Sequence, residues 1–196
     1  MNTIIRRNHI KNGRLRLAVW KDKKIHAAVI ARSAGRIGKK GYTALISSVI
    51  RPKTKYSHVK SMDYFVFRQA LQEAKSRGYD EAILLNRNGQ LVEGSTTNLF
   101  FVKNGILFTP STRCGCLIGI VRQIILDCAR AHNIPVQTGA YSIKDLQKAD
   151  EAFITNSLIG VKPLVSVDGH GIGKTSIGAV TAKLRRIYHH YINKNL

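Results

Sequence analysis

Two Asn-Gly pairs between short apolar runs constrain the fold of this sequence more than any other feature. The pairs are Asn88-Gly89 and Asn104-Gly105. Asn-Gly readily adopts the positive φ angles of the tightest β-hairpin turns. We therefore predict two hairpins, whose strands lie at residues 81–86, 91–94, 98–103 and 106–110.

Helical periodicity on both sides of these hairpins predicts a mixed α/β domain. Between residues 61 and 77 apolar side chains recur on one helix face, and Gly78 stands where a helix commonly ends. An apolar stripe at residues 120–128 and an amphipathic segment at residues 176–191 predict two more helices. Ser142 and Asp145 form a Ser-x-x-Asp cap, which predicts a short helix between strands at 134–137 and 151–155.

The basic N-terminal part is predicted to form a separate piece. Polar and apolar residues alternate at residues 14–20, which predicts a strand, and a second strand is expected at residues 25–31. Residues 33–41 are rich in Gly and Lys and predict a loop, while residues 48–57, with Pro52, are typical of a linker. The expected division is a partial N-terminal domain with its linker, residues 1–57, and a C-terminal domain, residues 58–196.

The charge of the chain is strongly basic and unevenly distributed. The formal net charge is +21, and residues 1–60 hold 16 Lys or Arg against the single acid Asp22. Such a surface can bind nucleic acid, or can concentrate a small polyanionic substrate. No helix-turn-helix, RNA-binding aromatic motif or Cys/His finger spacing accompanies the charge, so nucleic acid is an open alternative rather than the expected partner.

Composition also predicts the compartment. No run of apolar residues is long enough for a membrane span, and the first residues lack the apolar stretch of a secretory signal. Three cysteines form an odd, sparse set that suits a reducing compartment. Cys114-Gly115-Cys116 has no second Cys/His pair nearby at zinc spacing, so no metal is expected. The prediction is a cytoplasmic protein without membrane contact.

A lysine, an acid and two anion-binding turns are the candidates for chemistry. Lys60 lies between the linker and the first long helix, where it could project into a cleft with a lowered pKa, or could be a solvated surface lysine. Glu93 ends an apolar strand, where it could pair with a protonated ring nitrogen or simply face water. Residues 119–122 begin a helix and residues 155–157 follow a strand, so both offer backbone N–H groups to a phosphate.

A long series of motifs resembles the signature block of class IV pyridoxal-phosphate (PLP) enzymes. This family includes branched-chain aminotransferases, D-amino-acid aminotransferases and aminodeoxychorismate lyases. The similarity runs in the family's order through residues 58–185. Its main motifs are Gly78-Tyr79-Asp80-Glu81-Ala82-Ile83-Leu84-Leu85-Asn86, Val92-Glu93-Gly94-Ser95-Thr96-Thr97-Asn98-Leu99-Phe100, Gly119-Ile120-Val121-Arg122, Ala149-Asp150-Glu151-Ala152-Phe153-Ile154-Thr155 and Val167-Asp168-Gly169.

The resemblance implies a fold and a PLP-binding site. The expected fold is α/β (α+β): a large domain with a mixed sheet or barrel and flanking helices, preceded by a partial small domain. By resemblance Lys60 forms the Schiff base and shuttles protons, and Tyr64 bonds the cofactor's phenolic oxygen. Glu93 pairs with the pyridine nitrogen, and Leu117 packs on a ring face.

The phosphate end of the cofactor is assigned in the same way. Ile120 and Val121 would give backbone N–H groups to the phosphate. Asn156 and Ser157 would add further backbone donors and a hydroxyl. Val121 departs from the family's usual Thr, so one side-chain phosphate bond is lost, and Asp63 stands where many relatives have Asn.

The motifs favour one activity within the family. The run from Asn156 to Pro163 resembles aminodeoxychorismate lyases, which predicts conversion of 4-amino-4-deoxychorismate to 4-aminobenzoate and pyruvate on the route to folate. The alternatives are a branched-chain or D-amino-acid aminotransferase, a truncated inactive paralogue, and a basic polyanion-binding protein. A small anionic substrate and a homodimer are expected partners.

The resemblance also implies a longer N-terminal part than this sequence contains. Family members carry there a motif rich in Gly and Asp and a helix with a phosphate-binding Arg, and neither Arg6 nor Arg7 matches that Arg by motif. We therefore expect an open sheet edge and an uncovered cofactor face.

Overall fold

The chain folds as two compact units, residues 1–39 and 40–196. The computed structural model describes residues 2–10, 13–33, 38, 40–61, 63–173 and 177–195. Most of the predicted loop at 33–41 and two residues of predicted helices, Met62 and Ser176, lie outside the described residues. The predicted domain boundary between residues 57 and 58 stays a prediction.

The first unit is a short helix and a β-hairpin. Helix α1 is Asn2–Arg7, and strands β1 (Gly13–Lys21) and β2 (Ile25–Ser33) pair antiparallel, with Leu17 opposite Val29. Both predicted strands are confirmed. The alternating apolar residues of β1 share one face, but Leu17 is 65% exposed.

The second unit is built on one mixed sheet. Among the described residues it contains nine strands: β3 (Tyr42–Ile50), β4 (Glu81–Leu85), β5 (Leu91–Gly94), β6 (Asn98–Lys103), β7 (Ile106–Pro110), β8 (Val136–Gly139), β9 (Glu151–Asn156), β10 (Gly160–Val167) and β11 (His170–Gly171). Their order in the sheet is β5-β4-β3-β10-β9-β6-β7-β8, with β11 paired to β10. Strand β3 is parallel to β4 and β10, β7 is parallel to β8, and the other neighbouring strands are antiparallel.

Four helices of the described part of this unit cover the sheet, and alternation along the strands supplies a core on each face. The helices are α2 (Phe65–Ser76), α3 (Ile120–Ala131), α4 (Ile143–Gln147) and α5 (Ala179–Asn195). On β6, Phe100 packs with α3 and α5, whereas its neighbour Phe101 belongs to the opposite core with Leu146 of α4. Side chains alternate between the faces of a strand, so one strand contributes to both cores. Helix α2 packs through Ala70 and Ala74 onto β3 and β4.

Local signals in the sequence locate most of these elements correctly. Both Asn-Gly turns are confirmed, with φ of 69° at Gly89 and 75° at Gly105. Ser142 caps α4 in a capping box with Asp145, as predicted. Helix α2 begins at Phe65 rather than at residue 61.

The predicted linker at residues 48–57 is wrong at its start, because β3 continues through Ile50. β3 lies between two parallel neighbours in the middle of the sheet. A strand covered on both faces lacks a clean polar and apolar alternation, which hides it in the sequence. β10 is also absent from the predicted strands, since Lys162 and Pro163 interrupt its apolar run.

Three strand ends carry or adjoin candidate residues. Glu93 is near the end of β5, Asn98 begins β6, and Asn156 ends β9. β6 and β9 are antiparallel with Asn98 opposite Thr155, so the start of one strand adjoins the end of the other. None of the helices in the described part of the chain has the length and apolar character needed to cross a bilayer.

Candidate functional site

Glu93 is a buried carboxylate at the centre of the candidate site. Its relative exposure is 5%. One oxygen, Oε1, accepts a hydrogen bond from Arg51 Nε at 3.2 Å, and Oε2 accepts one from the backbone N–H of Leu117 at 3.1 Å. Burial raises the pKa of Glu93, while the bonds from Leu117 and Arg51 and the charge of Lys60 oppose that rise.

Arg51 is not among the residues predicted from the sequence. Its guanidinium donates to the carbonyl oxygens of Pro52 at 3.1 Å and Ser57 at 3.3 Å, besides pairing with Glu93. It also lies over the Phe67 ring, with Cζ 4.8 Å from the ring centroid. Arg51 therefore ties the segment leading to Lys60 to the strand that carries Glu93.

Lys60 and Tyr64 lie together on the segment before α2. Lys60 is exposed, and its Nζ lies 5.7 Å from the centroid of the half-buried Tyr64 ring. His58, two residues earlier, places Nδ1 3.3 Å from the carbonyl oxygen of Cys116. That contact joins the Lys60 segment to the loop that carries Leu117.

The start of α3 is suited to bind an anion. Its N-cap residue, Gly119, makes no side-chain capping bond, so the first backbone N–H groups are not capped by that residue. A Cβ at Gly119 would collide with Asn98 Oδ1. Asn98 is itself held by hydrogen bonds from Nδ2 to the carbonyl oxygen and Oγ1 of Thr155, each 3.0 Å long. Of the two predicted backbone donors, Ile120 is 79% exposed and Val121 is buried.

Asn156 and Ser157 lie in the turn between β9 and β10. Asn156 Oδ1 accepts from the N–H groups of Leu158 at 2.8 Å and Ile159 at 2.9 Å, and its Nδ2 donates to Thr96 O at 3.1 Å. These bonds hold the turn, so the side chain of Asn156 is already engaged. Ser157 is exposed beside it.

The structure thus groups the predicted residues into two connected sets. Glu93 accepts from Leu117 N, and Arg51 joins Glu93 to Ser57 of the segment that carries Lys60 and Tyr64. At the other end, the strand pairing of β6 with β9 and the contact of Asn98 with Gly119 connect α3 to the turn at residues 156–159. The site roles of all these residues stay predictions. A separate groove of about 550 Å³ lies beside α5 and contains none of them.

Comparisons with known proteins identify relatives of this chain. The model of the amino-transferase class IV family matches residues 1–167. The chain is 38% identical over 141 residues to a branched-chain-amino-acid aminotransferase of Pseudomonas aeruginosa, a match that covers 72% of this chain and 44% of that protein. It is 36% identical over 151 residues to a putative branched-chain-amino-acid aminotransferase of Methanocaldococcus jannaschii, covering 76% and 52%. The chain therefore spans about half the length of these curated relatives.

A solved structure shares the same fold. The T.th. branched-chain amino acid aminotransferase, crystallised with pyridoxamine 5′-phosphate, superposes with a TM-score of 0.89 at 28% identity. That match covers 98% of this chain and 69% of the other. The similarity confirms the predicted α/β class with a mixed sheet and flanking helices.

Proposed function

The chain belongs to the class IV aminotransferase family, and from this premise we propose that it binds pyridoxal 5′-phosphate through Lys60 and transfers amino groups. The observation that carries the proposal is the buried Glu93, whose carboxylate is held between Arg51 and the N–H of Leu117. Arg51 also donates to Ser57 O, on the segment that carries Lys60. Arg51 already pairs with this buried acid, and a second cation beside it would lower the remaining cost of burying its charge. The protonated ring nitrogen of PLP would be such a cation.

The residues present fit the cofactor at both ends. At the ring end Glu93 offers a negative charge, and Tyr64 offers a hydroxyl on a ring whose centroid lies 5.7 Å from Lys60 Nζ. At the other end the uncapped start of α3 offers backbone N–H groups to a phosphate. The exposed Ser157 would add a hydroxyl, while Asn156 shapes the turn that presents it.

Each residue then has a chemical task. When bound, PLP withdraws electrons from the α-carbon of an amino acid. Lys60 would hold the cofactor through Nζ and would carry a proton on that atom during transfer. Glu93 would keep the ring nitrogen protonated, and Arg51 with the Leu117 N–H would help to keep Glu93 ionised. Tyr64 would offer its hydroxyl to the phenolic oxygen.

The relatives favour aminotransferase over lyase activity. The proteins described above are named branched-chain aminotransferases, which supports the alternative that the sequence ranked second to aminodeoxychorismate lyase. We therefore propose branched-chain amino acids as substrates, with a 2-oxo acid as acceptor. Formation of glutamate from leucine and 2-oxoglutarate would support this choice, whereas pyruvate release from aminodeoxychorismate without transamination would restore the lyase.

The first test is the absorption spectrum of the purified chain with added PLP. Wild type should develop a band near about 410 to 430 nm that disappears on borohydride reduction. Lys60→Ala should lack the band. Lys55→Ala is the matched control, because Lys55 is an exposed lysine of the same segment and lies 5.0 Å from the Tyr56 ring centroid. If wild type and Lys60→Ala give the same spectrum, the cofactor proposal fails and an inactive paralogue is the better description.

A homodimer is proposed on the basis of exposed apolar side chains around the site. Three of them are Phe65 at 72% exposure, Ile118 at 54% and Leu158 at 49%. They belong to the segments that carry Lys60, Leu117 and Ser157. Exposed apolar groups of this kind commonly mark an interface. Light scattering should give a dimer for wild type and a monomer for Phe65→Glu; a monomeric wild type would contradict the assignment.

A second candidate function is nucleic-acid binding, favoured by the groove beside α5. Its lining includes Lys183, Arg185, Arg186 and His189. Phosphate contacts make affinity fall steeply with salt. Binding of a single-stranded oligonucleotide should weaken in Arg185→Ala/Arg186→Ala, and its salt dependence should become shallower. Equal binding by the variant would exclude this groove as the contact surface.

A further inference from the structure

Glu81 is a buried acid that the proposed chemistry does not use. It is the first residue of β4 and is 2% exposed. Its side chain points at the loop of residues 95–97, which follows directly after Glu93 and Gly94. A carboxylate in such a place must be fully hydrogen-bonded to be tolerated.

Five hydrogen bonds converge on this carboxylate. Oε1 accepts from the backbone N–H of the next residue, Ala82, at 2.9 Å and from Ser95 Oγ. Oε2 accepts from Thr96 N at 3.3 Å, Thr96 Oγ1 at 2.8 Å and Thr97 Oγ1 at 3.0 Å. Three consecutive residues of the loop are thus bound to one ionised group, and hydrogen bonds to ionised groups are stronger than neutral ones.

The backbone around Glu81 is closely packed as well. Gly94 N donates to Thr97 O at 2.7 Å, and Ser95 N donates to Ala82 O at 2.8 Å. A Cβ at Gly94 would collide with Thr97 Oγ1. The loop therefore folds tightly around the carboxylate and has little room for another arrangement.

This loop connects the two ends of the candidate site. At its N-terminal end the loop is joined to Glu93 through Gly94. The carbonyl oxygen of Thr96 accepts from Asn156 Nδ2, and Asn98 follows Thr97 and contacts Gly119 at the start of α3. A shift of the loop would therefore move the acid at one end and the phosphate-binding turns at the other.

We propose that Glu81 is a positioning residue that holds the 94–98 segment, and through it Glu93 and the start of α3, in the geometry that binds PLP. This inference rests on the proposed function. Glu81 touches none of the reacting atoms. Its effect is to fix the spacing between the ring-nitrogen partner and the phosphate-binding backbone.

Glutamine at position 81 would be a sharp perturbation, because it has the same shape but only one acceptor oxygen. Each oxygen of Glu81 accepts from a backbone N–H, Ala82 N on Oε1 and Thr96 N on Oε2. Hydroxyl groups can turn and accept instead, but an N–H cannot. In one orientation the NH₂ group of Glu81→Gln faces Thr96 N, so a loop contact is lost. In the other it faces Ala82 N, and moving away from that N–H displaces the Ser95 contact made by the same side-chain atom.

Glu151→Gln is the matched control. Glu151 is a partly buried acid that accepts from Val180 N at 3.0 Å and from Thr181 N and Oγ1 at 2.7 Å. It begins β9, at the opposite end of that strand from Asn156. The control removes a comparable acceptor away from the candidate site.

The test compares wild type, Glu81→Gln and Glu151→Gln in two measurements. Amide hydrogen exchange without cofactor should rise by at least about tenfold at residues 94–98 in Glu81→Gln only. The dissociation constant for PLP, titrated from the visible band, should rise by at least about tenfold in Glu81→Gln and stay within about twofold in Glu151→Gln. A folded Glu81→Gln variant with wild-type PLP affinity would overturn the inference while leaving the proposed function intact. Absence of PLP binding in wild type would overturn both.

A second pair of variants serves if Glu81→Gln does not fold. Thr97→Val removes the hydroxyl that donates to Glu81, and Thr181→Val removes the matching hydroxyl that donates to Glu151. Thr97→Val should weaken PLP binding by about three- to tenfold, and Thr181→Val should leave it unchanged. Equal affinities in the two variants would contradict the positioning role.

Discussion

Replacing Arg51 by methionine would test how Glu93 is stabilised. The pair is buried, with side-chain exposures of 12% and 7%, and the Nε to Oε1 distance is 3.2 Å. Removing one partner of a buried ion pair leaves an uncompensated charge, which costs about 3 to 5 kcal/mol of unfolding free energy. Because Leu117 N still donates to Glu93, we expect the lower end, about 3 kcal/mol, at pH 8.

The unfolding free energy lost in Arg51→Met should be larger at pH 8 than at pH 5. Burial already raises the pKa of Glu93, and the bond and charge of Arg51 lower it, so Arg51→Met raises that pKa further. The variant's folded state then holds a proton that the unfolded chain releases near the ordinary carboxyl pKa. The contribution of Glu93 to the variant's stability is therefore fully present below the unfolded pKa and is lost as pH rises through the folded pKa of Glu93. At pH 5 we expect the loss to shrink to about 1 to 2 kcal/mol, from the missing bonds to the Pro52 and Ser57 carbonyls.

Urea denaturation at pH 5 and pH 8 measures these values. Lys103→Met is the control, since the Lys103 to Asp150 pair is also short, 3.0 Å, but both side chains are more than two-fifths exposed. Such a pair contributes below about 1 kcal/mol. In the double variant Arg51→Met/Glu93→Gln, the neutral amide should restore part of the unfolding free energy that Arg51→Met loses at pH 8. A loss for Arg51→Met no larger than for Lys103→Met, or one that does not change between the two pH values, would refute this account of Glu93.

Three further predictions concern Glu151, Cys116 and Gly119. Glu151→Gln should lower the unfolding free energy by about 1 to 2 kcal/mol, because its NH₂ group replaces one of the two oxygens that accept from Val180 N and Thr181 N. An unchanged urea midpoint would contradict this. Burial raises the pKa of Cys116 to about 11, so iodoacetamide at pH 8 should alkylate it far more slowly in the folded chain than in urea, and equal rates would contradict its burial. Gly119→Ala places a methyl group against Asn98 Oδ1 and should cost at least about 1 kcal/mol of stability and weaken PLP binding; wild-type values for both would show that α3 can shift without consequence.

Sequence patterns located the parts of this fold whose causes are local. The two Asn-Gly turns and the Ser142 cap depend on residues within a few positions of each other, and both are found where they were predicted. Strands β3 and β10 depend on neighbours far along the chain, so their local patterns were not informative. β10 even contains Lys162, a lysine that is 5% exposed, which the sequence alone suggests is a surface residue.

The same distinction holds for the candidate site. Lys60 and Glu93 were identified through motifs, and the structure adds the neighbours that explain their surroundings. Arg51 is 42 positions from Glu93, and Glu81 bonds to hydroxyls 14 to 16 positions away. Neither residue lies in a local pattern of its own that signals such a contact. Only the folded chain brings them to the carboxylate and the hydroxyls that they bind.

The most direct test of the central claim is to locate the attachment point of the cofactor. The chain is incubated with PLP, reduced with borohydride, digested and mapped by mass spectrometry. We predict that the phosphopyridoxyl group is found on the peptide containing Lys60, with little on Lys53 or Lys55 of the same segment. Label spread over many surface lysines, or absent from Lys60, would contradict the assignment of this site.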